Sequence, residues 1–218
     1  MDVNDETKLL YIHIPKCGGS ALKKWFELSG YNYPPQDDCP SSIHRTAWAA
    51  REIANGPQRL SHHLRWEEYI TFATVRNPWA ALVSSYFYKI SLMYTSDLST
   101  CDDHAHIEAV TKGFEKSFKA QNISTIDVPE GCTFPYSMMR WLTDESGTIM
   151  IDEILRLENI EEDVSGMCLK YDLKKPDITK SFSTKHLPYQ CYFTEQWMID
   201  WVAERNQDYI EHFGYEFA

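Results

Sequence analysis

The sequence predicts an α/β fold, a single domain over residues 1–218 with a central parallel sheet flanked by helices. Three observations predict it. A short apolar run, Leu10-Tyr11-Ile12-His13-Ile14, breaks at a Gly-rich turn and gives way to an amphipathic helical pattern. A second run, Tyr69-Ile70-Thr71-Phe72-Ala73-Thr74-Val75, is almost continuously apolar, as a strand buried on both faces must be. It too is followed at once by helical spacing, so strand and helix alternate.

The first unit carries the most chemistry. After the Leu10 strand comes Lys16-Cys17-Gly18-Gly19-Ser20, and then a helix with Leu22, Trp25 and Phe26 on one face and Lys23, Lys24 and Glu27 on the other. Strand, Gly-rich turn and helix N-terminus together make a phosphate cradle: the glycines permit a tight turn, and successive N–H groups point at the anion. Lys16 adds a full mobile charge. A nucleoside-triphosphate loop places its Lys after the glycines; here Lys16 precedes them, and no Walker pattern occurs in the chain. The loop is therefore suited to a nucleotide other than ATP or GTP.

The second strand ends at Arg76-Asn77-Pro78, and Pro78 fits the first turn of a helix. Trp79, Leu82, Val83, Tyr86 and Ile90 then recur at helical spacing and face the core. Arg76 and Ser84 are expected at the carboxyl edge of the sheet, where open α/β folds bind ligands. A guanidinium and a hydroxyl there suit a second phosphate.

Pro15-Lys16-Cys17-Gly18-Gly19-Ser20 resembles the 5′-phosphosulfate loop of sulfotransferases that use 3′-phosphoadenosine 5′-phosphosulfate (PAPS). Arg76-Asn77-Pro78 with Ser84 and Tyr86 is similar to their 3′-phosphate motif. Ile154-Leu155-Arg156-Leu157-Glu158-Asn159-Ile160-Glu161-Glu162 and the closing Asp208-Tyr209-Ile210-Glu211-His212-Phe213-Gly214-Tyr215 resemble segments of the family-2 branch, which holds carbohydrate 2-O-sulfotransferases and small bacterial enzymes. The resemblance covers about Leu9 to Phe217. It departs at Ala81, where many members carry a second Arg, and at Ser20, where Thr is more usual.

That resemblance implies a P-loop-NTPase-like sulfotransferase fold and transfer of a sulfuryl group from PAPS to a hydroxyl acceptor. The implied donor-binding residues are Lys16, Cys17, Gly18, Gly19, Ser20, Ala21, Arg76 and Ser84. Ser183, Thr184 and Lys185 fall where relatives close a late loop over the adenosine bisphosphate moiety, with Phe182 in place of a frequent Asn. The reaction needs a base near neutral pH, and imidazole supplies one. Ser61-His62-His63-Leu64 lies where relatives carry a catalytic His; alignment favours His63, with His62 the alternative. Lys16 would neutralise charge building on the bridging oxygen, and no metal is required. Two other classes remain open: an atypical P-loop kinase, and a non-catalytic module that binds adenosine bisphosphate.

Other elements follow in order. Tyr33-Pro34-Pro35-Gln36-Asp37-Asp38 marks a loop, and Arg59-Leu60-Ser61-His62-His63 a short strand. A helix is expected near Ile107 to Phe118, inside an acceptor-side insert spanning about 86–140. The Leu155 strand is expected to enter a helix through a capping box, Asn159 as N-cap and Glu162 its partner, with Val164, Met167, Cys168 and Tyr171 apolar. A last helix from about Thr194 buries Met198, Trp201 and Val202. His13, alternating with Tyr11, reads as a hydrogen-bonded core histidine.

A formal net charge of -11 argues against nucleic acid as a partner and against polyanionic acceptors. Tyr86, Tyr88, Met93, Tyr94, Phe114, Phe134, Tyr136 and Met139 suit sugar rings or apolar alcohols, so the expected acceptor is a glycan, glycolipid or small alcohol of low negative charge. The six cysteines form no C-x-x-C pair and read as thiols, with disulfides the alternative that their even number leaves open. The acidic start Met1–Glu6 does not resemble a signal peptide, no run is long enough to span a bilayer, and the expected location is cytoplasmic. His104-Ala105-His106 reads as a solvated helix start, since residues two apart do not share a helix face.

Overall fold

The computed structural model describes residues 1–30, 46–55, 65–93, 112–118, 137–178 and 186–218. The Tyr33 loop, the Arg59–His63 strand and the His104–His106 stretch lie outside the described residues. The strands are β1 (Asp2–Asn4), β2 (Leu9–Ile12), β3 (Ser29–Gly30), β4 (Ile70–Val75) and β5 (Glu153–Arg156). The helices are α1 (Gly19–Trp25), α2 (Ala47–Asn55), α3 (Pro78–Met93), α4 (residues 112–118), α5 (Ile160–Lys170), α6 (Gln196–Arg205) and α7 (Gln207–Phe213). By its internal contacts the chain divides into two units: Met1–Arg76 with Met138–Phe182, and Asn77–Ser137 with Ser183–Ala218.

The first unit holds one sheet of order β3-β1-β2-β4-β5. β2, β4 and β5 are parallel, so their carboxyl ends share one edge, with Ile12 level with Ala73 and Val75 level with Arg156. The expected parallel pairing thus holds on the β2-β4-β5 side, while β1 on the other side runs antiparallel to both of its neighbours, β2 and β3. No sequence signal pointed to β1, a three-residue strand whose acidic neighbours read as a polar start. Asp5 to Lys8 form its turn: Asn4 Oδ1 accepts from the N–H groups of Glu6 and Thr7, and Lys8 takes a left-handed φ of 54°. Asp152 Oδ2 accepts from both the N–H and the hydroxyl of Thr71, at 2.8 and 2.7 Å, and so sets the register of β5 on β4.

One sheet face carries Leu9, Tyr11, Phe72 and Leu155, and α1 and α5 pack there through Leu22, Val164, Met167 and Cys168. Each large apolar side chain buried in this way contributes roughly 1.5–3 kcal/mol. Tyr171 is only partly buried at the margin of this cluster. α1 is shorter than its apolar pattern predicts. It stops at Trp25, Phe26 caps it, and Glu27 at φ 52° turns the chain into β3. The capping box at α5 does not form. Asn159 ends a short 3-10 turn, Leu157–Asn159, and makes no side-chain cap bond, while Asp163 Oδ2 reaches back to the Arg156 N–H at 2.6 Å.

In the second unit, Asn77 and Pro78 start α3 as an N-cap and first-turn pair. Asn77 Oδ1 accepts from the N–H groups of Trp79 and Ala80 at 3.1 and 3.2 Å. Its Nδ2 donates to the Glu216 carbonyl at 3.0 Å, and the Trp79 indole donates to the Ile199 carbonyl at 3.1 Å. Trp79, Leu82 and Val83 are buried as their spacing requires, and Tyr86 partly so. The expected last helix is two: α6 begins at Gln196, and Asn206 separates it from α7. Met198 and Val202 are buried, whereas Trp201 is half-exposed beneath the Arg205 guanidinium, 3.9 Å from its ring centroid.

Among the described residues, no helix is long and apolar enough to cross a membrane.

Candidate functional site

At the carboxyl edge of β2 the chain enters the turn that leads to α1. Lys16 and Gly18 both take left-handed backbone angles, φ 64° and 86°. Glycine adopts such angles without penalty; for Lys16 the conformation is strained by an amount on the order of 1 kcal/mol. The turn closes internally: the Cys17 N–H donates to the Ile14 carbonyl at 3.4 Å and the Ala21 N–H to the Gly18 carbonyl at 3.0 Å. The N–H groups of Gly18, Gly19 and Ser20 make no such bond among the described residues. Of the six loop residues expected to bind, then, these three offer adjacent backbone donors, and Cys17 and Ala21 use theirs to shape the turn.

Both glycines are required by their neighbours. A Cβ on Gly18 would lie 2.7 Å from Leu157 Cδ1, at the start of the turn after β5. A Cβ on Gly19 would lie 2.0 Å from His13 Nε2, closer than any real contact. The Cys17 side chain is fully buried, and burial pushes its thiol up to about 12. Cys17 is therefore a neutral packing group with no thiolate chemistry.

β4 delivers Arg76 to the same edge. Its Nη1 donates to the Lys16 carbonyl at 3.0 Å, so the guanidinium braces the turn as well as charging it. Burial first, and then the Arg76 charge, push the Lys16 ammonium down to about 8. β5 ends level with β4 and adds Arg156, and beyond it Glu158, which is exposed in the 3-10 turn and whose charge is felt at Cys17. The edge thus brings Lys16 and Arg76 beside the N–H groups of Gly18, Gly19 and Ser20. Cationic side chains beside backbone N–H groups are a donor set whose chemistry suits an anion.

Ser84 lies in α3 of the second unit and is buried, as is Ala81, which is fully enclosed in the core. His62, His63, Ser183, Thr184 and Lys185 lie outside the described residues. Of the acceptor-side aromatics, Phe114 is fully buried, edge-on to Tyr86 at 5.1 Å and packed on Tyr192 and Phe193, so it is core and offers no free face. Tyr88 is exposed; Tyr94, Phe134 and Tyr136 lie outside the described residues. Among the described residues, no three His, Cys, Asp or Glu side chains gather as metal ligands would.

Sequence reasoning missed a charged cluster behind the loop. Lys23, read as a surface residue, places Nζ 2.6 Å from the carboxylate of Asp2, which is wholly buried, and His13 Nδ1 lies 3.7 Å from the same carboxylate. Only the alternation of His13 with Tyr11 signalled that His13 faces α1.

A model described as the sulfotransferase family matches residues 1–190 of the chain. No curated protein and no solved structure matches it.

Proposed function

The chain belongs to the sulfotransferase family, and from that premise we propose that it transfers a sulfuryl group from PAPS to a hydroxyl acceptor by an in-line displacement. The observation that carries the reading is the loop at the end of β2. Three adjacent N–H groups, on Gly18, Gly19 and Ser20, stand unengaged beside Lys16, whose ammonium is depressed to about 8 by burial and by Arg76. A bound phosphate would accept from those donors and relieve the repulsion between the two cations, so the residues present fit the donor nucleotide.

On this reading the first unit is the nucleotide-binding core of a P-loop-like sulfotransferase fold, and residues 1–218 act as one domain with an acceptor-side insert over about 86–140. PAPS supplies an activated sulfuryl group on a phosphate leaving group. Gly18, Gly19 and Ser20 hold the 5′-phosphate, and Lys16 neutralises the charge that builds on its bridging oxygen as the sulfur–oxygen bond breaks. His63, or His62 in its place, takes the hydroxyl proton as the acceptor oxygen bonds to sulfur. Arg76 is assigned to the 3′-phosphate from the family pattern, since a guanidinium suits a phosphate. Ser84, Ser183, Thr184 and Lys185 are assigned from the family pattern. The catalysis drawn here is positioning and electrostatics, as in phosphoryl transfer.

The acceptor is a glycan, glycolipid or small alcohol of low negative charge. The net charge of -11 supports this, and so does the exposed Tyr88 in the insert. The test is turnover: the purified protein is incubated with PAPS labelled in its sulfuryl group and a panel of neutral and uronate-rich acceptors. Label transfer to a neutral hydroxyl supports the reading. Preference for a uronate-rich polymer overturns the acceptor class, and binding of adenosine bisphosphate without any transfer points to a non-catalytic module.

A further inference from the structure

A carboxylate with no exposed surface is the most expensive group in this chain to leave without partners, since desolvating one ion costs several kcal/mol. Asp2 is such a group. It pairs across the sheet with Tyr11, so the two side chains share the face on which α1 packs. Lys23 of α1 meets it at 2.6 Å, and His13, next on that face after Tyr11, approaches at 3.7 Å, longer than a hydrogen bond. Burial raises the Asp2 carboxyl, but the His13 and Lys23 contacts outweigh it and hold the group below its ordinary value.

The other end of the imidazole touches the loop. His13 Nε2 stands where a Cβ of residue 19 would be, within 2.0 Å of that position, so the ring lies directly against the Gly19 backbone. The ring also leans on Tyr11, centroids 5.6 Å apart. His13 is thereby wedged between a buried charge on β1 and the first residue of α1. Lys23, one turn further along α1, is tied to the same charge.

We propose that Asp2, His13 and Lys23 form a positioning group for the donor loop: Asp2 anchors α1 through Lys23 and seats the His13 ring, and that ring sets the height of Gly19 and hence the aim of the Gly18, Gly19 and Ser20 N–H groups. The proposal rests on the donor-site reading above and adds the part of the chain that holds this site in shape. The role assigned to the three side chains is positioning, not contact with the nucleotide. Their effect reaches it through backbone placement, to which a phosphate held by fixed N–H groups is sensitive, since misplacement by about 1 Å costs on the order of a hundredfold.

The test is a double-mutant cycle on the full chain, read by calorimetric titration with 3′,5′-adenosine bisphosphate and by thermal melting without ligand. His13→Ala is expected to weaken binding roughly tenfold to a hundredfold while the protein remains folded. Gly19→Ala is expected to weaken it at least as much, because its Cβ collides with the ring. In His13→Ala/Gly19→Ala the collision is gone, so the second substitution should add little to the first, a non-additivity expected only of groups in contact. Should Gly19→Ala alone fail to fold, recovery of a cooperative melt on adding His13→Ala is the same result. Wild-type affinity in His13→Ala overturns the proposal, as do costs that simply multiply in the double variant or a double variant that stays unfolded. Wild-type protein that does not bind the bisphosphate overturns the donor-site reading itself, a different outcome from a wild type that binds and a His13 variant that binds equally well.

Discussion

Arg76 donates from Nη1 to the backbone carbonyl of Lys16 at 3.0 Å, so the residue that ends β4 also holds the turn that follows β2. One guanidinium therefore couples two segments sixty residues apart in sequence, and its loss should be felt at both. Arg76→Ala is expected to weaken 3′,5′-adenosine bisphosphate by more than tenfold, about the 1.5–3 kcal/mol of a hydrogen bond to a charged group. Adenosine 5′-phosphosulfate, which lacks the 3′-phosphate, should also weaken, though less, because the turn loses its brace. Ser84→Ala should weaken only the bisphosphate. Calorimetric titration of both ligands against both variants checks this, and equal losses for the two ligands in Ser84→Ala would remove Ser84 from the 3′-phosphate.

Lys16 should carry a pH signature. Its ordinary value is 10.5, and burial with the Arg76 charge brings it to about 8 in the folded protein. The donor needs the ammonium form, so kcat/KM for PAPS, which reports the free enzyme, should fall above pH 8. Lys16→Met should lose this limb together with most of the turnover.

The same shift sets a stability effect with a definite sign. Below about pH 8 both folded and unfolded states hold the proton, and the folded state bears the full cost of confining the charge. Between about 8 and 10.5 the unfolded chain binds the proton more tightly, so stability rises with pH through that window. Lys16→Met should therefore stabilise the fold at pH 7 by about 1–2 kcal/mol, after discounting for the solvent that still reaches the side chain. Urea unfolding of the two proteins at pH 7 measures it; a destabilised variant contradicts the cost argued for confining this charge.

His63→Ala should remove sulfuryl transfer by about a hundredfold or more while leaving bisphosphate affinity within twofold, as expected of a general base. His62→Ala should be milder. Single-turnover rates and titrations on both variants decide between them, and near-normal turnover in His63→Ala moves the role to His62.

Asn77 is a separate case, since its cap on α3 and its bond to the Glu216 carbonyl are structural. Asn77→Ala should lower stability by about 1–2 kcal/mol. An unchanged denaturation midpoint would show that neither bond contributes.

Much of the candidate site's geometry was legible because it is local. Lys16, Gly18 and Gly19 are consecutive, and a strand before them with a helix after them is enough to place the turn. Arg76 was legible as a strand-end cation, but not as a brace on Lys16, because that bond joins two strands whose adjacency no spacing encodes. Asp2 could not be recognised at all. A lone acid in an acidic start reads as solvated, and only the antiparallel pairing of β1 on β2 carries it into the core. Lys23 misled for the same reason: its helical phase puts it at the edge of the apolar face, and its side chain is long enough to reach inward to a charge that the sequence does not reveal. The α5 capping box failed because the pattern of Asn159 and Glu162 ignores the tight turn after β5, where Asp163 caps the Arg156 N–H instead.

The most direct test of the donor site is calorimetric titration of the wild-type protein with 3′,5′-adenosine bisphosphate and, separately, with ATP. The account predicts saturable binding of the bisphosphate at least tenfold tighter than ATP, with stabilisation of about 2.7 kcal/mol when the ligand stands at a hundred times its Kd. Equal affinity for the two nucleotides, or tighter binding of ATP, would contradict it.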